Sequence, residues 1–314
     1  MNLKTPLIAA VMTASVAGTV VQAQRDAPFT VQESGESFSR LSDAVTAVGG
    51  NNATIVIKPG SYGDCAVQTA GRITYKASIP GRTIFDGGVC EGKATLVLRG
   101  KAATIDGIIF QNQQVADGNG AGIRIERGDL YVYNAMFRNA EQGILSADDP
   151  SAEIVIDRST FQRLGRCDRG LSCAHSIYIG YFGSLKVTNS RFEKGSGGHY
   201  VKSRAPRATI NNNSFDDTQG RSTNYMIDLP AGATGVISGN VFVQGQNKDN
   251  WSAFIAVAAE DTDHRSTGLN IHSNSASLAK GVKRNTWFVA DWSGDQLRIA
   301  NNSLGQGLTR YQRR

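Results

Sequence analysis

From Ile105 onward the chain repeats one short arrangement: an aliphatic residue, a polar bend two positions later, and a Phe three positions after that. The copies are Ile105-Asp106-Gly107…Phe110, Val132-Tyr133-Asn134…Phe137, Ile156-Asp157-Arg158…Phe161, Val187-Thr188-Asn189…Phe192, Ile210-Asn211-Asn212…Phe215 and Ile237-Ser238-Gly239…Phe242. Degenerate copies follow at Ile271-His272-Ser273-Asn274 and Ile299-Ala300-Asn301-Asn302…Leu304. A second apolar segment accompanies the copies, centred on Ile123, Ile144, Ile177, Val201, Ile227, Ile255 and Phe288. Phe-to-Phe steps of 27, 24, 31, 23 and 27 residues, with no helical period between them, predict an all-β parallel solenoid. Each coil buries its aliphatic and Phe positions against the next. Asn recurring at one bend predicts a ladder of side-chain amides that satisfies backbone groups left unpaired by the sharp turn. A β-sandwich is the lesser alternative, because eight copies in one register are hard to obtain from hairpins whose turn signals are sparse.

Composition changes this picture little. With 314 residues, 35 Gly, 40% hydrophobic and 19% charged side chains, the chain is neither disordered, collagenous nor a coiled coil. Its start adds a destination. Lys4, an apolar stretch from Pro6 to Val21, and the small-residue ending Val21-Gln22-Ala23 read as a secretory signal peptide over residues 1–23. The stretch is too short and too rich in Ala, Ser, Thr and Gly for a membrane span. Residues 24–314 are then one exported domain, secreted or periplasmic, with no membrane span and a monomer expected.

Removal of Lys4 leaves 32 basic against 27 acidic residues, a modest excess that suits an anionic partner. Arg310, Arg313 and Arg314 are read as a solvated basic tail. The scattered basic residues and the export signal argue against nucleic acid. Four cysteines in an exported chain favour two disulfides over a metal cluster, and no paired metal-ligand spacing is present. Three pairings are open; the local one joins Cys65 to Cys90 and Cys167 to Cys173.

With these repeats, Leu41-Ser42-Asp43-Ala44-Val45 as a short cap, and Ala53-Thr54-Ile55-Val56-Ile57-Lys58-Pro59-Gly60-Ser61-Tyr62 as a first strand and turn, the chain resembles the right-handed parallel β-helix proteins of the pectate-lyase-like class. The resemblance implies a single-stranded right-handed parallel β-helix: a helical cap over about 38–50, coils over about 53–305, then the basic tail. It covers roughly residues 38–305. It says less about activity, since the architecture also carries hydrolases, epimerases, adhesins and phage tailspikes.

Stacked coils turn sequence alignment into a spatial map, with equivalent residues roughly 4.8 Å apart and alternate side chains facing outward. One outward column then reads Arg124, Leu145, Tyr178, Lys202, Asp228, Ala256, Val289; the next reads Glu126, Ala147, Gly180, Arg204, Pro230, Ala258, Asp291. Tyr178, Lys202 and Asp228 fall on consecutive coils, with Arg204 beside Lys202 and Tyr200 assigned to the same face. His175 and His199 start two of these strands, stack, and join Tyr178, Lys202 and Arg204 as candidate catalytic residues. The expected result is an open, positively charged trough, with the loop between Cys167 and Cys173 over one end. Arg124 and Glu126 are candidate substrate-binding residues with Tyr200 and Asp228. Asp148 and Asp149, like Glu260, Asp261 and Asp263, are rim carboxylates that could bind a cation, calcium in the first place. No phosphate loop or dinucleotide fingerprint implies an organic cofactor.

A uronate polysaccharide fits such a trough. β-Elimination needs the sugar carboxylate neutralised, the C5 proton removed and the leaving oxygen protonated. Arg204 pairs with the carboxylate. Lys202 is a base if Arg204 lowers its pKa, with Tyr178 or His199 as acid; Asp228 would keep that lysine protonated, so a Tyr or His base competes. The duller alternative is a cross-strand ion pair between Lys202 and Asp228, and tyrosines that merely pack. Glycoside hydrolysis is the second expectation, needing two carboxyl groups across the scissile bond. Polygalacturonase-like hydrolases are expected to carry Asn-x-Asp, paired Asp, Gly-His-Gly and Arg-x-Lys; only Asp148-Asp149 and Gly198-His199 resemble parts of that set, and Lys202-Ser203-Arg204 has the opposite order. Non-catalytic binding of an anionic glycan is the third.

Overall fold

The structure, a computed structural model, describes Met1 and residues 27–314. The expected signal peptide, Met1 apart, lies outside the described residues.

Three short strands make each coil, and equivalent strands of successive coils pair in parallel. The first sheet stacks ten such strands, from Asn52–Ile57 to Arg298–Ala300, and adds an antiparallel pair, Phe29–Val31 and Ser37–Phe38, at its N-terminal edge. The second runs from Gly60–Tyr62 to Ser303–Leu304 and the third from Ala66–Gln68 to Leu308–Arg313, ten strands each. The fold is the parallel β-solenoid that the repeats predict, the β-helix architecture that the resemblance implies. Its open N-terminal end is covered by helix α1, Leu41–Val48. Leu41, Ala44, Val45 and Val48 form its buried stripe. The first amide, Leu41 N–H, donates to Asp64 Oδ2 at 2.7 Å, so the first coil satisfies a group the helix cannot.

The Phe repeat becomes a stack in the core. Rings of Phe85, Phe110, Phe137, Phe161, Phe192, Phe215 and Phe242 succeed one another at centroid spacings of 4.8–5.8 Å. Phe85 extends the ladder one coil earlier than the sequence pattern does.

The amide ladder forms one residue later than expected. The repeated bend position, including Asn134, Asn189, Asn212 and Asn301, adopts φ between 52° and 59°, a left-handed conformation that Asn tolerates, and Gly107 and Gly239 serve the same need. The next residue builds the ladder: Asn213, Asn240, Asn274 and Asn302 pass Nδ2–H to Oδ1 bonds of 2.9–3.0 Å from coil to coil. Upstream, the same position holds Ser190 and Ser159, whose hydroxyls accept single backbone N–H bonds. Two requirements on adjacent residues had merged into one in the sequence pattern.

The C-terminal segment also differs from expectation. Instead of a solvated tail, Leu308–Arg313 is the last strand of the third sheet, pairing Tyr311 with Val289 and Arg313 with Asp291. Leu308 and Tyr311 are half-buried and three residues apart, with Arg310 and Arg313 exposed, so the segment lacks the period-two alternation of a strand. Both disulfides are the local ones, Cys65–Cys90 and Cys167–Cys173. Among the described residues no helix is long and apolar enough to cross a membrane.

Candidate functional site

The third sheet carries the site on its outward face. The observed register places Ile144, Ile177, Val201, Ile227 and Ile255 in one inward column and Leu145, Tyr178, Lys202, Asp228 and Ala256 in the neighbouring outward one. The expected alignment holds until its last member: Ile255 pairs with Val289, so Ala290, not Val289, continues the outward column, and Trp292, not Asp291, follows Ala258. Ala253 pairs with Trp287, which sets Phe288 opposite Phe254 and not opposite Ile255. Outward positions there are apolar; Ala256 and Ala290 are buried with Tyr225 against Trp287 and Trp292, which ends the polar face just past Asp228.

Tyr178, Lys202, Arg204, Asp228 and His199 do converge. Lys202 Nζ lies 3.2 Å from Asp228 Oδ2 and touches Glu260 Oε1. Arg204 contacts the other Glu260 oxygen through Nη2, Asp261 Oδ2 through Nη1 at 3.1 Å, and donates Nε–H to the Tyr178 hydroxyl at 3.2 Å. His199 Nε2 stands 3.5 Å from Asp228 Oδ2. His175 packs on His199 with ring centroids 4.9 Å apart, and its Nδ1 accepts the His199 backbone N–H at 3.0 Å. The Cys167–Cys173 loop adjoins this pair, with Cys167 Sγ accepting the Gly198 N–H at 3.2 Å.

Electrostatics corrects two expectations. Burial works to lower the Lys202 ammonium, but Asp228 and Glu260 outweigh it and leave the group raised above an ordinary lysine. Lys202 is therefore a held cation, not a base. The trough is not positively charged either, because Glu260, Asp261 and Asp228 sit on its two cations. Burial pushes the Asp228 carboxyl up to about 6 against the pull of Lys202, and its Oδ1 is buried without a hydrogen-bond partner. Glu260 moves the other way: burial favours its neutral form, yet Lys202 and Arg204 bring it below the usual carboxylate range. Burial holds His175 down to about 3 and, with the nearby charges of His175 and Lys202, keeps His199 well below its ordinary value, so both rings are neutral.

Tyr200 is not on this face. It is 1% exposed and turns inward, its hydroxyl donating to Asp217 Oδ1 at 2.7 Å. Strand alternation does not reach it, because Tyr200 precedes the strand Val201–Ser203 and lies in the bend. Arg124 and Glu126 lie on the same sheet in earlier coils. Glu126 is bound by Lys93 at 2.7 Å and Arg99 at 2.5 Å, with Arg124 at 3.7 Å. Asp148 and Asp149 do not suit calcium. Asp148 Oδ1 accepts the Tyr181 N–H, Asp149 Oδ2 the Gly128 N–H, and Asp149 Oδ1 the Ser151 hydroxyl. Among the described residues no three His, Cys, Asp or Glu side chains gather as a metal site.

Sequence reasoning placed Glu260 and Asp261 on the rim and missed that they enter the site. The missing signal was length: the turn after Val257 is long enough for its backbone to be pinned at Pro230 O by Glu260 N–H and Asp261 N–H, aiming both side chains back over the sheet.

These observations define a class: a parallel β-helix with a mixed acid and base cluster on one outward sheet. No family model matches the chain, and no curated protein is similar to it. Solved structures share its architecture. ORF18 of Geobacillus virus E2 has 12% identity over 87% of this chain and 56% of its own, with a TM-score of 0.55. The pectin methylesterase of Aspergillus niger has 11% identity over 90% of both chains, with a TM-score of 0.50. The PL6 family alginate lyase AlyGC has 14% identity over 84% of this chain, with a TM-score of 0.49, and this chain spans only 38% of it. At such identity the first two likenesses establish fold alone.

Proposed function

We propose that this protein is an exported enzyme acting on an acidic, uronate-containing polysaccharide, cleaving it by β-elimination. The observation that supports this reading is Glu260. One exposed carboxylate is held by Lys202 through one oxygen and by Arg204 through the other, the arrangement a uronate carboxylate would require. Glu260 is 42% exposed, and an exposed ion pair is worth roughly 1 kcal/mol or less, so rotation of its side chain opens the place between the two cations to a sugar carboxylate while Asp228 stays on Lys202 and Asp261 on Arg204. Neutralised by them, the sugar carboxylate acidifies its C5–H. Tyr178, its hydroxyl oxygen beside Arg204, passes its own proton to the leaving O4 and accepts the C5 proton in its place, as the C4–O bond breaks and C4=C5 forms. Asp228 and the neutral His199–His175 pair hold Lys202 in place.

Hydrolysis is the second reading, and one observation favours it. Asp228 and Glu260 touch the same ammonium, within roughly 6 Å of each other, close to the spacing of a retaining pair. Their environments push the two carboxyls apart, Asp228 toward an acid and Glu260 toward a carboxylate.

Incubation with polygalacturonate, alginate and glucuronan decides between them. Elimination releases unsaturated ends that absorb in the ultraviolet, and Tyr178→Phe abolishes them while binding persists. Reducing ends without absorbance, lost in Asp228→Asn, would establish hydrolysis instead. Binding with no product from any polymer would leave a glycan-binding module.

A further inference from the structure

A cavity of about 880 Å³ lies against the turns that join the third sheet to the first in the coils before the cluster. Its walls carry the cations Arg72, Arg99, Lys101 and Arg127 and the carboxylates Glu126, Asp129, Asp148 and Asp149. Arg99 is committed to Glu91 and Glu126, and the Asp149 oxygens to Gly128 and Ser151. Three cations remain. Among the described residues Lys101 makes no ion pair, Arg127 acts on Asp149 through its charge without contacting it, and Arg72 reaches Asp129 only at 4.0 Å with its side chain 52% exposed.

These three come from successive coils, roughly 4.8 Å apart along the axis. Register places Gly71, Lys101 and Gly128 in one column, with Gly100 beside Arg127 in the next. A Cβ at Gly128 would fall 2.2 Å from Gly100 O, so no side chain can rise between the cations there. The column of Arg99 and Glu126 continues through Ala147 and Gly180 to Arg204. Ala147 and Gly180 keep the floor low over the three coils, roughly 14 Å, that separate Glu126 from Arg204.

We propose that this cavity is a remote binding site for the same acidic sugar chain that the cluster holds. Lys101, Arg127 and Arg72 take carboxylates, and exposed Asp148 accepts sugar hydroxyls. The mixture of charges suits a polyhydroxylated anion better than a bare phosphate chain. The proposal rests on reading the cluster as a uronate site.

Its test is calorimetric binding of tri- and decasaccharides of galacturonate and of alginate, with dextran as the neutral control. Tyr178→Phe protein keeps the ligands intact. The decasaccharide should bind more tightly than the trisaccharide, and Lys101→Glu should weaken the decasaccharide about tenfold while leaving the trisaccharide unchanged. Arg127→Ala should do the same, and circular dichroism checks its fold because Arg127 also donates to Arg99 O. Equal decasaccharide affinity with and without Lys101→Glu in the Tyr178→Phe protein overturns the proposal, as does the absence of binding. Binding that depends on Lys101 without any cleavage product would sink the elimination reading and leave this site standing. Product formation indifferent to Lys101 would do the reverse.

Discussion

Glu260 and Asp228 flank the same ammonium but behave differently because one is half exposed and the other 4% exposed. Replacing Glu260 by Ala removes the carboxylate that Lys202 and Arg204 share and leaves them only Asp228 and Asp261, so polyuronate affinity should rise several-fold, read as a lower KM or a tighter Kd. Unchanged affinity would mean that the two cations never meet substrate. Asp228 contributes a pH signature. With its pKa raised to about 6 from an unfolded value near 3.8, the folded state binds the extra proton between those values, so this group lowers stability as pH rises through that window. His175 and His199 act oppositely: their folded values are depressed, so stability falls as pH drops below about 6.5. Asp228→Asn removes the first slope only. Its melting temperature should therefore fall more steeply from pH 6.5 to 4 than that of wild type, whereas parallel profiles would show that Asp228 does not titrate in this range.

At the level of strands and turns, the sequence disclosed what repeats and concealed what departs from repetition. The Phe stack and the inward column from Ile123 to Ile255 were legible because each coil poses the same packing problem. Phe288 was misplaced because two aromatic residues fit either register, and only backbone pairing decides. Asn212 and Asn213 illustrate a different loss: one supplies a left-handed turn and the other a hydrogen-bond relay, and composition alone does not separate them. The relay can be tested directly. Asn240 is fully buried, its amide donating to Ile210 O and Asn274 Oδ1 and accepting from Asn213. Asn240→Ala leaves these groups unpaired and should cost about 2–4 kcal/mol in urea unfolding, whereas Asn212→Gly, at φ 59°, should be nearly neutral.

Across the whole molecule, the site was legible only as far as coil stacking carries it. Tyr178, Lys202, Arg204 and Asp228 came together from register alone. Glu260 arrives from 58 residues beyond Lys202 through a loop whose course no period encodes. Tyr200 shows the converse, since alternation fails at the bend before a strand. A solenoid also distributes its cohesion unevenly. At the position after the bend, two-handed amides from Asn213 to Asn302 bind the later coils, while the earlier ones have the hydroxyls of Ser159 and Ser190 and, before them, Ala135 and Ile108, with their side-chain links at the exposed pairs Asn134–Asp106 and Asn112–Asp86. The bridge between Cys65 and Cys90 fastens that weaker end, closing a separation of 25 residues that is worth about 3 kcal/mol. A reductant should therefore fray the barrel directionally. Deuterium uptake ought to quicken first in residues 52–111 and leave the stretch after Asn213 protected, so that the redox state of the surroundings, more than heat, would determine from which end the protein comes undone.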